Sequence, residues 1–311
     1  MSKRMEKNVF GIIGISSLMS NWNADFTGNP KSTLNGEIFG SDKAIKYSYR
    51  KFWDNFEENK VLYIKSYKPE NLQVRELDER YEYLFNGFIP TDDGKEKKRE
   101  KGTKDLTSLV NIFNSIDVKQ FGATFPSGKY GNFSITGAVQ FGQGFNLYKN
   151  TVNIQDVLSP FKNSSNKDAD NSSIGKMIFT DESHYFYPFS IIPSEYKEYE
   201  KIGVTEGYTE EDYKIFKETS LVSVTALNSA SKFGCSNEFA LFIETKEGTY
   251  MPRVNKFLSY EKNNKQKAKI KFELKTALDM FADKITKVEV YYNPDFIEFE
   301  TDLPKVETFK M

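Results

Sequence analysis

One cysteine and one histidine stand in 311 residues, and each scarcity removes a class of chemistry. Cys235 has no second thiol to pair with. An intramolecular disulfide and any multi-cysteine zinc site are therefore excluded, which suits a reducing, cytoplasmic setting. His184 would have to serve alone in serine–histidine, cysteine–histidine or multi-histidine metal chemistry, so no catalytic or metal centre and no cofactor is expected from it. At the head of the strand-like SHYFYPFSII it reads as a structural histidine. Charge of one sign is also lacking: 43 Lys and Arg against 44 Asp and Glu leave a net of −1. A nucleic-acid role would have to rest on local patches. Long apolar runs are missing as well. The N-terminal MSKRMEKNVFGIIGISSLMSNW places charges before a run too short to cross a bilayer, with no small-residue cleavage site, so it reads as a buried first strand with no membrane contact.

What is present is an ordinary globular composition, 38% hydrophobic and 15% aromatic. NVFGIIGISSLM, residues 8 to 19, is apolar on both alternating faces, as a central strand covered on two sides requires. After the polar SNWNADFTGNPKST comes SDKAIKYSYRKFWDNF. There Ile45, Tyr49, Phe52 and Phe56 recur at helical spacing, Lys43, Lys46 and Arg50 form a separate stripe, and Ser41 or Asp42 can cap the start. Residues 60 to 90 are expected to add a short strand and an aromatic helix, LTSLVNIFNSI another helix, and NFSITGAVQFGQGF a strand. HYFYPFSIIP and EFALFIET read as strands, and TEEDYKIFKE as an acidic helix start capped by Thr209 and continuing through LVSVTALNSA. Beyond residue 250, AKIKFEL and KVEVYY read as strands flanking a short helix in LDMFADKI. The strong elements fall in the order strand, helix, strand, strand, helix, strand, which is the α+β split βαβ or ferredoxin-like order. A polar excursion, FKNSSNKDADNSSIGKMIFTDES, joins its second and third strands.

Three catalytic signatures fail on inspection. In GATFPSGKYGN five residues, not four, separate Gly122 from Gly128, and Tyr130 stands where a phosphate loop needs Ser or Thr. QFGQGF starts a dinucleotide fingerprint but opens no helix, and Asp92 with Asp93 lies in a polar loop where solvation suffices. Local cation clusters are more telling. Lys43, Lys46 and Arg50 share a helix face and could track phosphates, while Asn21, Asn23, Thr27, Gly28, Asn29 and Lys31 before them supply short donors and flexible backbone. The basic run at 95 to 104 and the lysine-rich 262 to 275 are weaker candidates.

The first apolar strand, NWNADFTGNP, the FGSDKAIKYSYRKFW helix, IDVKQFGATF and SITGAVQFGQGFNL together resemble the CRISPR-associated backbone subunit of type I-B Cascade, a RAMP-superfamily protein. The resemblance covers most of residues 8 to 245. It implies one elaborated RRM-like, ferredoxin-like palm over residues 1–311. Large insertions accompany it: a finger-like region at 57–120, an extended β-hairpin thumb at 160–183, and a C-terminal extension, 250–311, packing on the palm. The partners it implies are CRISPR guide RNA, the target DNA strand through that guide, copies of the chain in a helical filament, and other Cascade subunits. By position it assigns guide binding to Asn21, Asn23, Thr27, Asn29, Lys31, Lys43, Lys46 and Arg50, with Lys119, Gln120 and Gln140 from the two later blocks. The thumb tip falls at Ser173, Ile174, Gly175, Lys176 and Met177, where Ile174 or Met177 could wedge against a base. In a filament, the acidic stretch 195 to 212 could meet the basic 262 to 275 of the next copy.

Two other readings remain open. Asp25 lies where type III relatives place a loop aspartate that cleaves RNA, although a lone carboxylate also serves as a loop or helix-capping residue. A filament former without nucleic acid is the third.

Overall fold

The computed structural model describes residues 3–85, 106–149, 151–158, 173–262 and 267–311. Its first half runs β1 (Asn8–Ser20), β2 (Phe39–Gly40), α1 (Asp42–Trp53), α2 (Leu77–Phe85), α3 (Leu106–Phe113), α4 (Ile116–Phe121), β3 (Gly122–Ser127), β4 (Gly131–Thr136), β5 (Val139–Phe141), β6 (Gly144–Asn146) and β7 (Val152–Leu158). The second half runs β8 (Ser173–Ile191), α5 (Lys197–Lys201), α6 (Glu210–Ser220), β9 (Cys235–Thr245), β10 (Leu258–Glu261), β11 (Ala268–Phe272), α7 (Leu278–Phe281), β12 (Ile285–Tyr292), β13 (Ile297–Thr301) and β14 (Val306–Lys310).

The apolar first strand takes the centre of a mixed sheet ordered β14-β12-β9-β1-β8-β6-β2, with β5 and β7 also paired to β8. β1 lies antiparallel to both neighbours, with Val9 opposite Ile191 on β8 and Ile12 opposite Leu241 on β9. Together with α1 after β1 and α6 after β8, the inner order β9-β1-β8-β5 is that of a split βαβ unit.

Both faces of β1 are buried from Asn8 to Ile15, as its two-sided apolar pattern requires, whereas Leu18 and Met19 near its end are exposed. Val9, Ile13 and Ile15 join a core with Ile45, Tyr49 and Trp53 of α1 and Tyr213 and Phe216 of α6. Tyr49 is the hub: its ring lies 5.5 Å from Phe216, 5.7 Å from Phe141 and 5.8 Å from Phe121, and its hydroxyl donates to Ser220 Oγ at 2.6 Å. A buried aromatic of this kind contributes about 1.5–3 kcal/mol through area alone, and its bonded hydroxyl leaves no desolvated donor unpaired. Phe10 and Ile12 point the other way, into a second core closed by the three-stranded sheet β10-β11-β13 through Tyr260, Ile270, Phe272 and Ile297.

Several local expectations are corrected. NFSITGAVQFGQGF is broken into β4, β5 and β6, because at Gly137 the chain passes so close to α4 that a Cβ would lie 2.1 Å from the Phe121 carbonyl carbon. The helix begun at Thr209 stops at Ser220, where Asn237 Nδ2 donates to the Ser220 carbonyl and turns replace LVSVTALNSA. Residues 60 to 76 hold no strand beyond the single bridge Tyr67–Val74, while the aromatic helix is α2. α1 ends at Trp53, leaving Phe56 past the helix. The basic run at 95 to 104 lies outside the described residues.

Candidate nucleic-acid interface

The loop between β1 and β2 folds as two consecutive tight turns. The first is closed by the bridge Ala24–Pro30, the second by Ser32–Ile38. Asp25 organises the first: its Oδ1 accepts from the Thr27 amide (2.8 Å), the Thr27 hydroxyl (2.7 Å) and the Asn29 amide (3.0 Å). The Thr27 hydroxyl, with the amides behind it, holds the Asp25 carboxyl below the usual carboxylate range. These bonds make Asp25 a loop-closing residue. Among the described residues no group of three His, Cys, Asp or Glu side chains could hold a metal ion.

Asn21 roots the loop, donating from Nδ2 to the Gly28 carbonyl at 2.9 Å and to the Ile178 carbonyl of β8 at 3.0 Å. Asn23 joins it to the next element, since its Oδ1 accepts from the Ser41 amide at 2.8 Å and Ser41 is the N-cap of α1. The Asp42 amide in turn donates to Gln143 Oε1 at 3.3 Å, between β5 and β6. Loop, helix start and sheet edge are thus one connected rim. Lys31 sits between the two turns, its Nζ 5.9 Å from the centre of the Phe39 ring.

The cationic stripe of α1 divides. Lys43 is open to solvent, its side chain 89% exposed. Lys46 is only 12% exposed and bonds Asp42 at 3.4 Å over the Phe121 ring, and burial lowers its pKa despite that carboxylate. Arg50, 17% exposed, donates from Nε to Asp117 Oδ2 at 3.1 Å and lies over Tyr63 and Phe121. Asp117 is fully buried, and its two oxygens also accept from the Leu62 and Tyr63 amides at 2.8 and 2.9 Å. Two of the three cations are therefore engaged in holding α1 against α4.

Lys119 and Gln120 are likewise buried. Lys119 Nζ donates to Thr205 Oγ1 at 2.9 Å and Glu206 Oε1 at 3.0 Å, whereas Gln120 donates to the Asp212 carbonyl and accepts from the Tyr208 hydroxyl. Gln140 is exposed, with its amide turned to the Gly137 carbonyl. Ser173, Ile174, Gly175, Lys176 and Met177 stand in the paired stem of a β7–β8 hairpin, with Gly175 opposite Val157 and Met177 opposite Gln155. The hairpin's arms begin at Val152, and its connection, 159–172, lies outside the described residues. Of the lysine-rich 262 to 275, Lys262 bonds Glu182, Lys269 bonds Glu300 and Lys271 bonds Glu273 within the chain. The acidic stretch is similarly occupied: Glu200 bonds Arg4 and Glu210 bonds Lys7.

Lys232 escaped the sequence reading. It donates to the Asn21 and Trp22 carbonyls under the loop, and burial pulls its pKa down. No local pattern marks it, because its partners are 210 and 211 residues away. His184 is buried between Glu238, 2.9 Å from Nδ1, and Glu182, 3.0 Å from Nε2, and stacks on Tyr260.

Comparison with solved structures finds a chain of a CRISPR RNA-guided surveillance complex, described as pre-nicking, with 14% identity and a TM-score of 0.51, covering 97% of this chain and 96% of that one. A chain of a second CRISPR RNA-guided surveillance complex has 12% identity and a TM-score of 0.44, with 94% of each chain covered. At the first of these values the likeness concerns the fold. No curated protein matches the sequence. The model of the family CRISPR-associated protein Cas7 matches residues 7–282, which takes in the rim, both helices of the split βαβ unit and most of the second core, and on that match the chain belongs to the Cas7 family.

Proposed function

We propose that this chain is a repeated backbone subunit of a type I-B Cascade surveillance complex and binds the sugar-phosphate strand of a CRISPR guide RNA without reading its sequence. It is read as a non-catalytic scaffold in the cytoplasm that presents the guide for pairing with target DNA beside further copies and other subunits. The observation that carries this reading is the rim. Two turns rich in amides and hydroxyls are bonded to the start of α1 and to the β7–β8 stem, with Lys31 and Lys43 beside them. Such a surface offers phosphate contacts, which suits backbone binding. The solved surveillance-complex chain of like fold supports the assembly, and the SDKAIKYSYRKFW and DVKQFG blocks support the subtype.

The experiment is a salt titration of single-stranded RNA binding. Each phosphate neutralised contributes a slope of about −0.7 in log affinity against log salt, so K31A/K43A should flatten the slope by about 1.4. An unchanged slope in that variant would exclude this rim as the phosphate contact. Repeat-derived spacer transcripts among the RNA co-purifying from the native host are the expected cargo, and their absence would overturn the assignment.

A further inference from the structure

The two turns share a feature that phosphate contact does not use. Each carries one large apolar side chain at its tip, wholly in solvent: Phe26 is 111% exposed and Leu34 is 107% exposed. The backbone under each is held rigidly. Phe26 lies between Asp25 and Thr27 in the hydrogen-bonded first turn. In the second turn the Thr33 amide donates to the Glu37 carbonyl at 2.9 Å and the Gly36 amide to the Thr33 carbonyl at 3.0 Å, with Gly36 in the left-handed region at φ 80°. The roots are bonded to β8 through Asn21 and to α1 through Asn23. An apolar side chain fixed in water by this many bonds gains nothing for folding, since among the described residues no part of the chain covers it.

We propose that Phe26 and Leu34 are paired base wedges: on a bound RNA strand, Phe26 stacks on the face of one unstacked nucleobase and Leu34 packs against another, with Lys31 between them facing the intervening backbone. This inference rests on the RNA-binding reading above. A nucleobase is favoured over a protein surface because the apolar area at each tip is a single side chain ringed by exposed polar residues such as Thr27, Asn29 and Asn35. A protein hot spot needs a wider dry patch around its anchor. One ring or one isobutyl group matches the face of one base, and stacking of this kind tolerates any sequence. It would also set where bases leave the regular stack, which cations alone cannot do.

The test uses the full chain, single-stranded RNA and the variants F26A, L34A and F26W. Because among the described residues neither side chain is covered, the melting temperature should stay at the wild-type value. F26A should weaken RNA binding about tenfold with an unchanged salt slope, and F26W should retain the affinity. Photo-crosslinks from 4-thiouridine RNA should map to residues 24 to 30. Wild-type affinity in F26A/L34A, with crosslinks elsewhere, would overturn the wedges while K31A/K43A still reports on the phosphate rim. Unchanged RNA affinity combined with failed assembly with other subunits would assign the tips to a protein interface and equally overturn the proposal. A wild-type chain that binds no RNA would sink the parent reading and the wedges together.

Discussion

Replacing Arg50 by methionine should damage the fold before it damages RNA binding. Arg50 is the partner of Asp117, a carboxylate with no exposure that also bridges the Leu62 and Tyr63 amides and so ties the start of the 61–64 segment to α4. Removing the guanidinium leaves that charge buried with two amide bonds and, among the described residues, no counter-charge. Loss of one member of a buried pair costs about 3–5 kcal/mol, and the low end applies because the amides remain. Unfolding entropy of roughly 2.1 cal/mol/K per residue gives about 0.65 kcal/mol/K for 311 residues, so about 3 kcal/mol lowers the melting temperature by about 5 °C. R50M/D117N, which removes both charges but leaves one of the two amides without an acceptor, should recover part of that loss, whereas K43A should move the melting temperature by less than about 1 °C. Scanning calorimetry or near-ultraviolet circular dichroism reads all three. An R50M melting temperature within about 1 °C of wild type would refute the reasoning, and so would a double variant no better than R50M. The practical consequence concerns any RNA-binding deficit in an Arg50 variant. It counts against the rim only when measured well below the variant's melting temperature.

Three further outcomes follow from the same geometry. His184 should make stability depend on pH. Burial opposes its charge, but the Glu238 and Glu182 contacts outweigh that and raise its pKa above 6.5, so its contribution is complete below about pH 6.5 and is lost as pH rises through the higher folded value. The melting temperature should therefore fall as pH rises above about 6.5, and H184Q should flatten that slope; an equal slope in both would disprove the role. G137A should unfold readily, since its Cβ has nowhere to go beside the Phe121 carbonyl, and a variant that expresses and melts like wild type would contradict the packing. D25N should leave guide binding intact and show no change in the fate of complementary RNA with magnesium; regular cleavage that disappears in D25N would favour the nuclease reading of Asp25.

Much of the framework was legible in the chain. The two-sided apolar run of residues 8 to 19 announced the central strand, Ser41 and Thr209 announced the two helix starts, and the order of strong elements led to the split βαβ arrangement. Short-range physics controls these features: the side-chain period of two or 3.6, and the need of helix-end amides for a nearby oxygen. Breaks were harder to read. Gly137 carries no mark that separates a tolerated strand glycine from one pressed against another backbone, and Ser220 ends its helix because Asn237, 17 residues on, takes its carbonyl.

The sequence by itself determined the central strand and the two helix starts at Ser41 and Thr209, that chemistry based on several cysteines or histidines is absent, and that a polar, amide-rich loop precedes a lysine-bearing helix. Only the tertiary structure decided which of those lysines and arginines remain available. Lys43 stays in water, while Lys46, Arg50 and Lys119 are drawn to Asp42, Asp117 and Glu206, and Phe26 and Leu34 are left uncovered. The physical reason is that charge and hydrophobicity belong to residues, but their use depends on partners. Those partners lie up to 87 residues away for Lys119 and are brought near only when helices and sheets pack.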